Sequence, residues 1–294
     1  MAKLKPVDGT DYYLWKYLPS VPIAILFFSL FTIATGFLSW RIFRTKTWYC
    51  IVFAIGGFFQ IIGYLIRVYC HYNTNQIATY VLQSTFILLA PVFYAASIYM
   101  VLGRLISSTH GGHLSIIRPT RMTEIFVAGD FLSLSVQGNA VSLTTKDKTK
   151  KIGEGIITAG LFIQLLLFGF FVFVAMRFHR RLQTRIKKGL EQEPTVPWRK
   201  GLHMLYACSF LIMVRSVFRV VEYIMGVDSY LLTTEWPSYC FDASLMFIVQ
   251  VIFAVWFPDQ FQYQKVEGDE IQMGSISKRR WYHKLPMVSL VKSF

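Results

Sequence analysis

Acidic residues are scarce in this chain: 16 Asp and Glu stand against 30 Lys and Arg in 294 residues, a formal charge of +14. Charged residues of both signs make up only 16%, whereas 54% are hydrophobic and 17% aromatic. A soluble domain needs a polar surface to cover its core, so this little charge excludes one and makes lipid the solvent. The positive excess does not point to nucleic acid, because the basic residues stand in short clusters between apolar runs instead of a stripe interleaved with aromatics. Cysteine is scarce too. Cys50, Cys70, Cys208 and Cys240 have no CxxC spacing and lie in or beside apolar segments, which argues against a zinc site or a disulfide framework. A bridge between Cys70 and Cys240, both expected near the outer membrane face, stays open beside simple packing. There is no GxxxxGK[ST] loop and no stretch for a soluble nucleotide domain, which excludes ATP-driven pumping by this chain. No small-residue cleavage site follows the first apolar run, so that run is expected to remain as a helix.

What is present is a series of long apolar runs. A helix rises 1.5 Å per residue, so about 20 apolar residues cross about 30 Å of hydrocarbon. Seven stretches qualify, at 21–40, 49–70, 77–103, 122–143, 154–176, 201–225 and 239–257. Lys and Arg avoid translocated loops. Twenty of them fall in the segments at 41–47, 104–121 and 177–200 and after Pro258, and only seven on the other side. The expectation is therefore an all-α polytopic bundle of seven transmembrane helices with its N-terminus outside and its C-terminus in the cytoplasm. Residues 1–20 form an extracellular segment, 21–257 the membrane domain and 258–294 a basic cytoplasmic tail. Tyr12, Tyr13, Trp15, Tyr17, Trp48, Tyr49, Trp198, Trp236 and Tyr239 cluster at helix ends, where amphipathic rings favour the headgroup level. The tail carries KRRWYHK (Lys278 to Lys284), which suits anionic inner-leaflet lipids as well as it suits a solvated tail.

Arg67, Asp130, Arg215, Arg219, Glu222 and Asp242 lie inside these spans or close to their ends. Each costs roughly 2.5 to 3.5 kcal/mol at a helix centre on insertion scales, against about 0.3 to 0.6 gained per Leu or Ile. Three cations and three anions invite mutual neutralisation. Arg215, Arg219 and Glu222 recur at i, i+4 and i+7, so one stripe of the sixth helix must face protein or water. Gln60 and Arg67 repeat this on the second helix, and Asp130, Ser133 and Gln137 on the fourth, with Gln164 and Gln250 as further polar points. Direction of travel puts Arg67, Arg219, Glu222 and Asp242 toward the outer leaflet, Arg215 near the midplane and Asp130 toward the inner leaflet. Two roles fit: interhelical ion pairs that hold the bundle, or a path for the charged head of an amphipath. Pro91 is expected to kink the third helix.

No enzyme, metal or cofactor is expected. His71, His110, His113, His179, His203 and His283 lie in loops, in the tail or at a helix end, and HGGH (His110 and His113) lacks further nearby ligands.

Six segments carry a family resemblance: IIGYLIR (Ile61 to Arg67), ILLAPVFYAASIYMVLGRLI (Ile87 to Ile106), FVAGDFLSLSVQG (Phe126 to Gly138), GLFIQLLLFGFF (Gly160 to Phe171), RSVFRVVEYIMG (Arg215 to Gly226) and YCFDASLM (Tyr239 to Met246). With them the chain resembles the fungal lipid-translocating exporters, which include aminocholesterol-resistance proteins and the sphingoid long-chain-base exporter. All six intramembrane charges fall inside these segments. The resemblance implies a seven-helix fungal protein of the plasma membrane. It would act on membrane lipids such as sphingoid bases and phospholipids, and serve lipid asymmetry and drug resistance. Arg67, Asp130, Gln137, Arg215, Arg219, Glu222 and Asp242 are the candidate site. An alternative is a seven-helix lipid sensor that controls a separate flippase or a signalling partner through its basic loops. Three departures accompany the resemblance: Gln60 stands where relatives carry Glu, Asn139 to Val141 where they carry glycines, and Phe257 where they often carry His.

Overall fold

The computed structural model describes residues 19–72, 74–109, 115, 119–144, 150–190, 197–225 and 234–258. Among them are seven helical elements and no strand. They are α1 (Val21–Thr45), α2 (Ile51–Tyr72, entered through a 3-10 turn at Trp48–Cys50), α3 (Ile77–Ser108), α4 (Pro119–Thr144), α5 (Lys150–Lys187), α6 (Trp198–Ile224) and α7 (Trp236–Val255). Hydrocarbon offers the backbone no partner, so each apolar run closes its own hydrogen bonds as a helix. All seven helices overrun the apolar stretches at one end or both, because winding need not stop where the lipid does. α5 shows this best: its 38 residues reach about 57 Å at 1.5 Å per residue, and its last turns carry Arg177 to Lys187.

Six of the helices are long and apolar enough to cross a membrane. The exception is α4. Its 26 residues suffice in length, but Arg121, Glu124, Asp130, Gln137 and Asn139 lower its apolar content below that of a spanning helix. The chain is thus an integral membrane protein with seven helices, of which six qualify as spans by length and composition.

Packing follows chain order and then closes: each helix lies against the next, and α7 returns to α1. α3 also packs on α6 through the middle, so α3 and α6 divide the bundle into a side built from α1, α2 and α7 and a side built from α4 and α5. The core is unusually aromatic. Phe27, Tyr64 and Tyr239 stack at 5.5 to 6.3 Å on the first side, and Tyr99, Phe126, Phe168 and Phe171 gather at 4.5 to 6.1 Å on the second. Outward faces stay apolar, as Ile33, Phe210 and Leu132 show, which suits a lipid exterior.

The tightest seam joins α2 to its neighbours through glycine. A Cβ on Gly56 would stand 2.8 Å from the Tyr94 ring and 2.9 Å from the Ala90 carbonyl, and one on Gly57 would strike Thr35 and Gln250. Small residues let membrane helices approach at such points. α3 runs through Pro91 without interruption. All four cysteines are free, so the Cys70–Cys240 bridge is not formed; Cys50, Cys70 and Cys208 are buried and Cys240 is exposed. The N-terminal segment up to Leu18, expected to be extracellular, His110 and His113, and the tail with its KRRWYHK cluster lie outside the described residues.

Candidate functional site

The intramembrane charges sort into one connected network and one isolated carboxyl. At the centre of the network is Asp242, 3% exposed on α7. One of its oxygens accepts from Arg215 Nε and the other from Arg219 Nη2, while Arg219 Nη1 donates to Glu222 at 2.9 Å. The spacing of Arg215, Arg219 and Glu222 on α6 makes this geometry available, and a π turn over Tyr239–Ser244 brings Asp242 to meet it. Such turns widen a helix locally and carry side chains inward that α-helical spacing would direct elsewhere. Here Tyr239, Asp242 and Ala243 are all buried, and Ser244 Oγ donates to the Tyr239 carbonyl at 3.0 Å. Arg215 and Asp242, expected at different depths, therefore lie in contact.

One turn further along, Arg67 of α2 donates from Nε to Tyr239 Oη at 2.9 Å and from Nη2 to Glu235 at 3.0 Å, with its guanidinium 4.9 Å from the Tyr239 ring centre. The Ser20 amide also donates to Glu235, and His71 Nδ1 donates to the Pro19 carbonyl at 2.7 Å. This cluster gathers α1, α2 and α7 at one end of the bundle. Glu235 was missed by sequence reasoning because it precedes the last apolar run instead of lying within it. Its available signal was an acidic residue one turn before Tyr239.

Asp130 is different. It is 2% exposed on α4 and accepts from Tyr99 Oη at 2.8 Å. Its second oxygen has no partner among the described residues, and no ion pair reaches it there. Further along α4, Ser133 Oγ donates to the Gly160 carbonyl at 2.5 Å, and Gln137 Nε2 donates to Ser133 Oγ at 3.1 Å and reaches Gln164 at 3.5 Å. Gln60 is buried on α2 with neither amide atom partnered among the described residues, and Gln250 donates to Thr35 Oγ1 at 2.7 Å.

The opposite end of the bundle has a clasp of its own. Arg41 Nη1 donates to the Ala254 carbonyl at 2.5 Å and lies 4.8 Å over the Phe257 ring, while Tyr49 Oη donates to the Pro258 carbonyl beneath the Arg104 guanidinium, 4.1 Å away. These residues had been read only as positive-inside charge and interfacial aromatics. Between the two ends a cavity of about 20 Å³ opens beside Gln137, Gln164, Arg215, Ser216 and Arg219. Among the described residues no group of three His, Cys, Asp or Glu could hold a metal.

A helical membrane bundle whose interior is crossed by ion pairs and a polar cavity defines the class: a polytopic protein built around a buried charged seam. Within that class the chain belongs to the RTA1-like protein family, matching it over residues 53–265. It is 35% identical to protoporphyrin uptake protein 1 of Saccharomyces cerevisiae, across 70% of this chain and 67% of that one. It is 28% identical to the lipid-translocating exporter-like protein RTA1 of Leptosphaeria maculans, across 91% and 56%. Identity to the sphingoid long-chain base transporter RSB1 of Saccharomyces cerevisiae is 26%, across 74% and 66%. The chain thus spans about two thirds of the length of these fungal relatives, or less. No solved structure matches it.

Proposed function

We propose that this protein moves amphipathic lipids, sphingoid long-chain bases among them, across the fungal plasma membrane, with the polar head travelling inside the bundle and the tail in hydrocarbon. The observation that carries this reading is the cavity beside Arg215 and Arg219. Ion pairs that served only to join helices would be expected to close on themselves, whereas these border open space and leave hydrogen-bonding capacity unused. The names of the RSB1 and RTA1-like relatives support lipid as the cargo. In this reading α4 is the seventh crossing, its polar residues sheltered by α3 and α5, with the N-terminus outside and the C-terminus inside. Arg67, Asp130, Gln137, Arg215, Arg219, Glu222 and Asp242 line or support the path. Flux is the test. The purified protein is reconstituted in liposomes and a labelled sphingoid base is followed across the bilayer, with and without a pH gradient. Transfer above that of empty vesicles is expected, and its absence in both conditions overturns the reading.

A second reading rests on α5, whose basic end reaches Lys187 beyond its apolar stretch and offers a docking surface to a signalling partner or flippase. Under it, lipid-resistance phenotypes vanish when a separate flippase is deleted. Under the transport reading they persist.

A further inference from the structure

We propose that the cavity is an oxyanion seat, receiving the phosphate or carboxylate end of an amphipath. An inventory of hydrogen-bonding atoms leads there. Both oxygens of Asp242 are engaged by arginine, and Glu222 Oε2 takes Arg219 Nη1. Two guanidinium donors are left over: Arg215 Nη2 and Arg219 Nε are buried with no acceptor among the described residues. Both arginines border the cavity, and no carboxylate does. Gln137 adds an amide from α4 and Gln164 another from α5, while the Ser216 hydroxyl is already donated to the Ile212 carbonyl at 2.9 Å. The rest of the wall is leucine from α3, α4 and α5.

A buried donor without an acceptor costs about 1–3 kcal/mol, and more when charged, so this wall is complementary to a group rich in acceptors. An ammonium offers only donors and would add positive charge beside two guanidiniums. Phosphate and carboxylate present the opposite, and guanidinium geometry suits both. Size points the same way. About 20 Å³ holds one or two water-sized groups, enough for the two oxygens of a carboxylate or the outer oxygens of a phosphate, but not for a sugar. A sphingoid base reaching this point would present its hydroxyl oxygens to the arginines, not its amine.

The assignment rests on the transport reading for the amphipath, but its test needs no flux. The full chain is placed in nanodiscs of neutral lipid, and saturable binding of hexadecyl phosphate, palmitate, hexadecylamine and inorganic phosphate is measured. Hexadecyl phosphate and palmitate should bind at least tenfold more tightly than hexadecylamine. Ser216→Leu, which fills the cavity and leaves the ion pairs in place, should weaken both at least tenfold. Should that variant fail to fold, Leu134→Phe fills the cavity from α4 with the same expected loss. Equal or tighter binding of the amine, or unchanged binding by a folded plugged variant, overturns the seat. Inorganic phosphate binding as tightly as hexadecyl phosphate overturns the amphipath. Binding as expected in a protein that shows no liposome flux supports the seat while removing the transport reading. Flux of a long-chain amine with no binding of either anion does the reverse.

Discussion

Asp242 and Asp130 are equally hidden, 3% and 2% exposed, and oppositely equipped. The first sits between two arginines on the side of α1, α2 and α7; the second has one hydroxyl, from a Tyr99 whose ring packs against Phe126 and Phe171, on the side of α4 and α5. Burial alone therefore says little about what a carboxylate does. Where counter-charges are fixed on a neighbouring helix, the acid ties elements together, and its removal strands charge in a dry interior. With a single neutral partner, the acid anchors no ion pair among the described residues. Among the described residues the bundle thus divides into a side tied by ion pairs and a side joined by neutral hydrogen bonds and aromatic packing, with a small cavity bordered by α3, α4, α5 and α6.

The largest effect that would break this comparison is expected from Asp242→Asn. It removes the negative charge that Arg215 and Arg219 share and turns one of the two acceptor oxygens into an amide donor facing a guanidinium, and breaking a buried pair in this way costs about 3–5 kcal/mol. Loss of monodisperse protein in detergent, or a steep fall in Tm, is the expected result; a protein of normal stability would show that the network is not structural. Gly57→Leu controls for packing alone, since it forces a side chain into Thr35 and Gln250 without touching any charge, at about 1–3 kcal/mol read as a fall in Tm. Glu235→Gln should cost less, about 1 kcal/mol, because a neutral oxygen can still accept from Arg67 or from the Ser20 amide. Asp130→Asn should barely move stability, by under about 1 kcal/mol, since the amide oxygen still accepts from Tyr99. Its transport in liposomes should nevertheless fall several-fold. A destabilised Asp130→Asn protein would make the two acids alike, and stable protein with unchanged flux would remove Asp130 from the path.

Legibility in the sequence followed the strength of the physical penalty. Arg215, Arg219 and Glu222 stood out because charge in an apolar run is costly and their helical spacing fixes a shared face. The apolar runs located all seven helices for the same reason. Glu235, Arg41, Tyr49 and Arg104 were passed over because at the ends of runs a charge or ring costs little, so nothing in composition separates a clasp from an interfacial anchor. Tyr99 was hidden among apolar neighbours in YAASIYM, where only its hydroxyl marks it out. The π turn at Tyr239–Ser244 has no sequence signature, so the depth expected for Asp242 was drawn with α-helical geometry and came out separate from Arg215.

Closure of the ring by its last member also bears on biogenesis. Until α7 has left the ribosome and entered the bilayer, both guanidiniums of α6 lack the aspartate that answers them. A nascent chain halted before Trp236 would therefore leave Arg215 unmatched and Arg219 with Glu222 of its own helix alone. The last helix to be made thus supplies the aspartate that both arginines share.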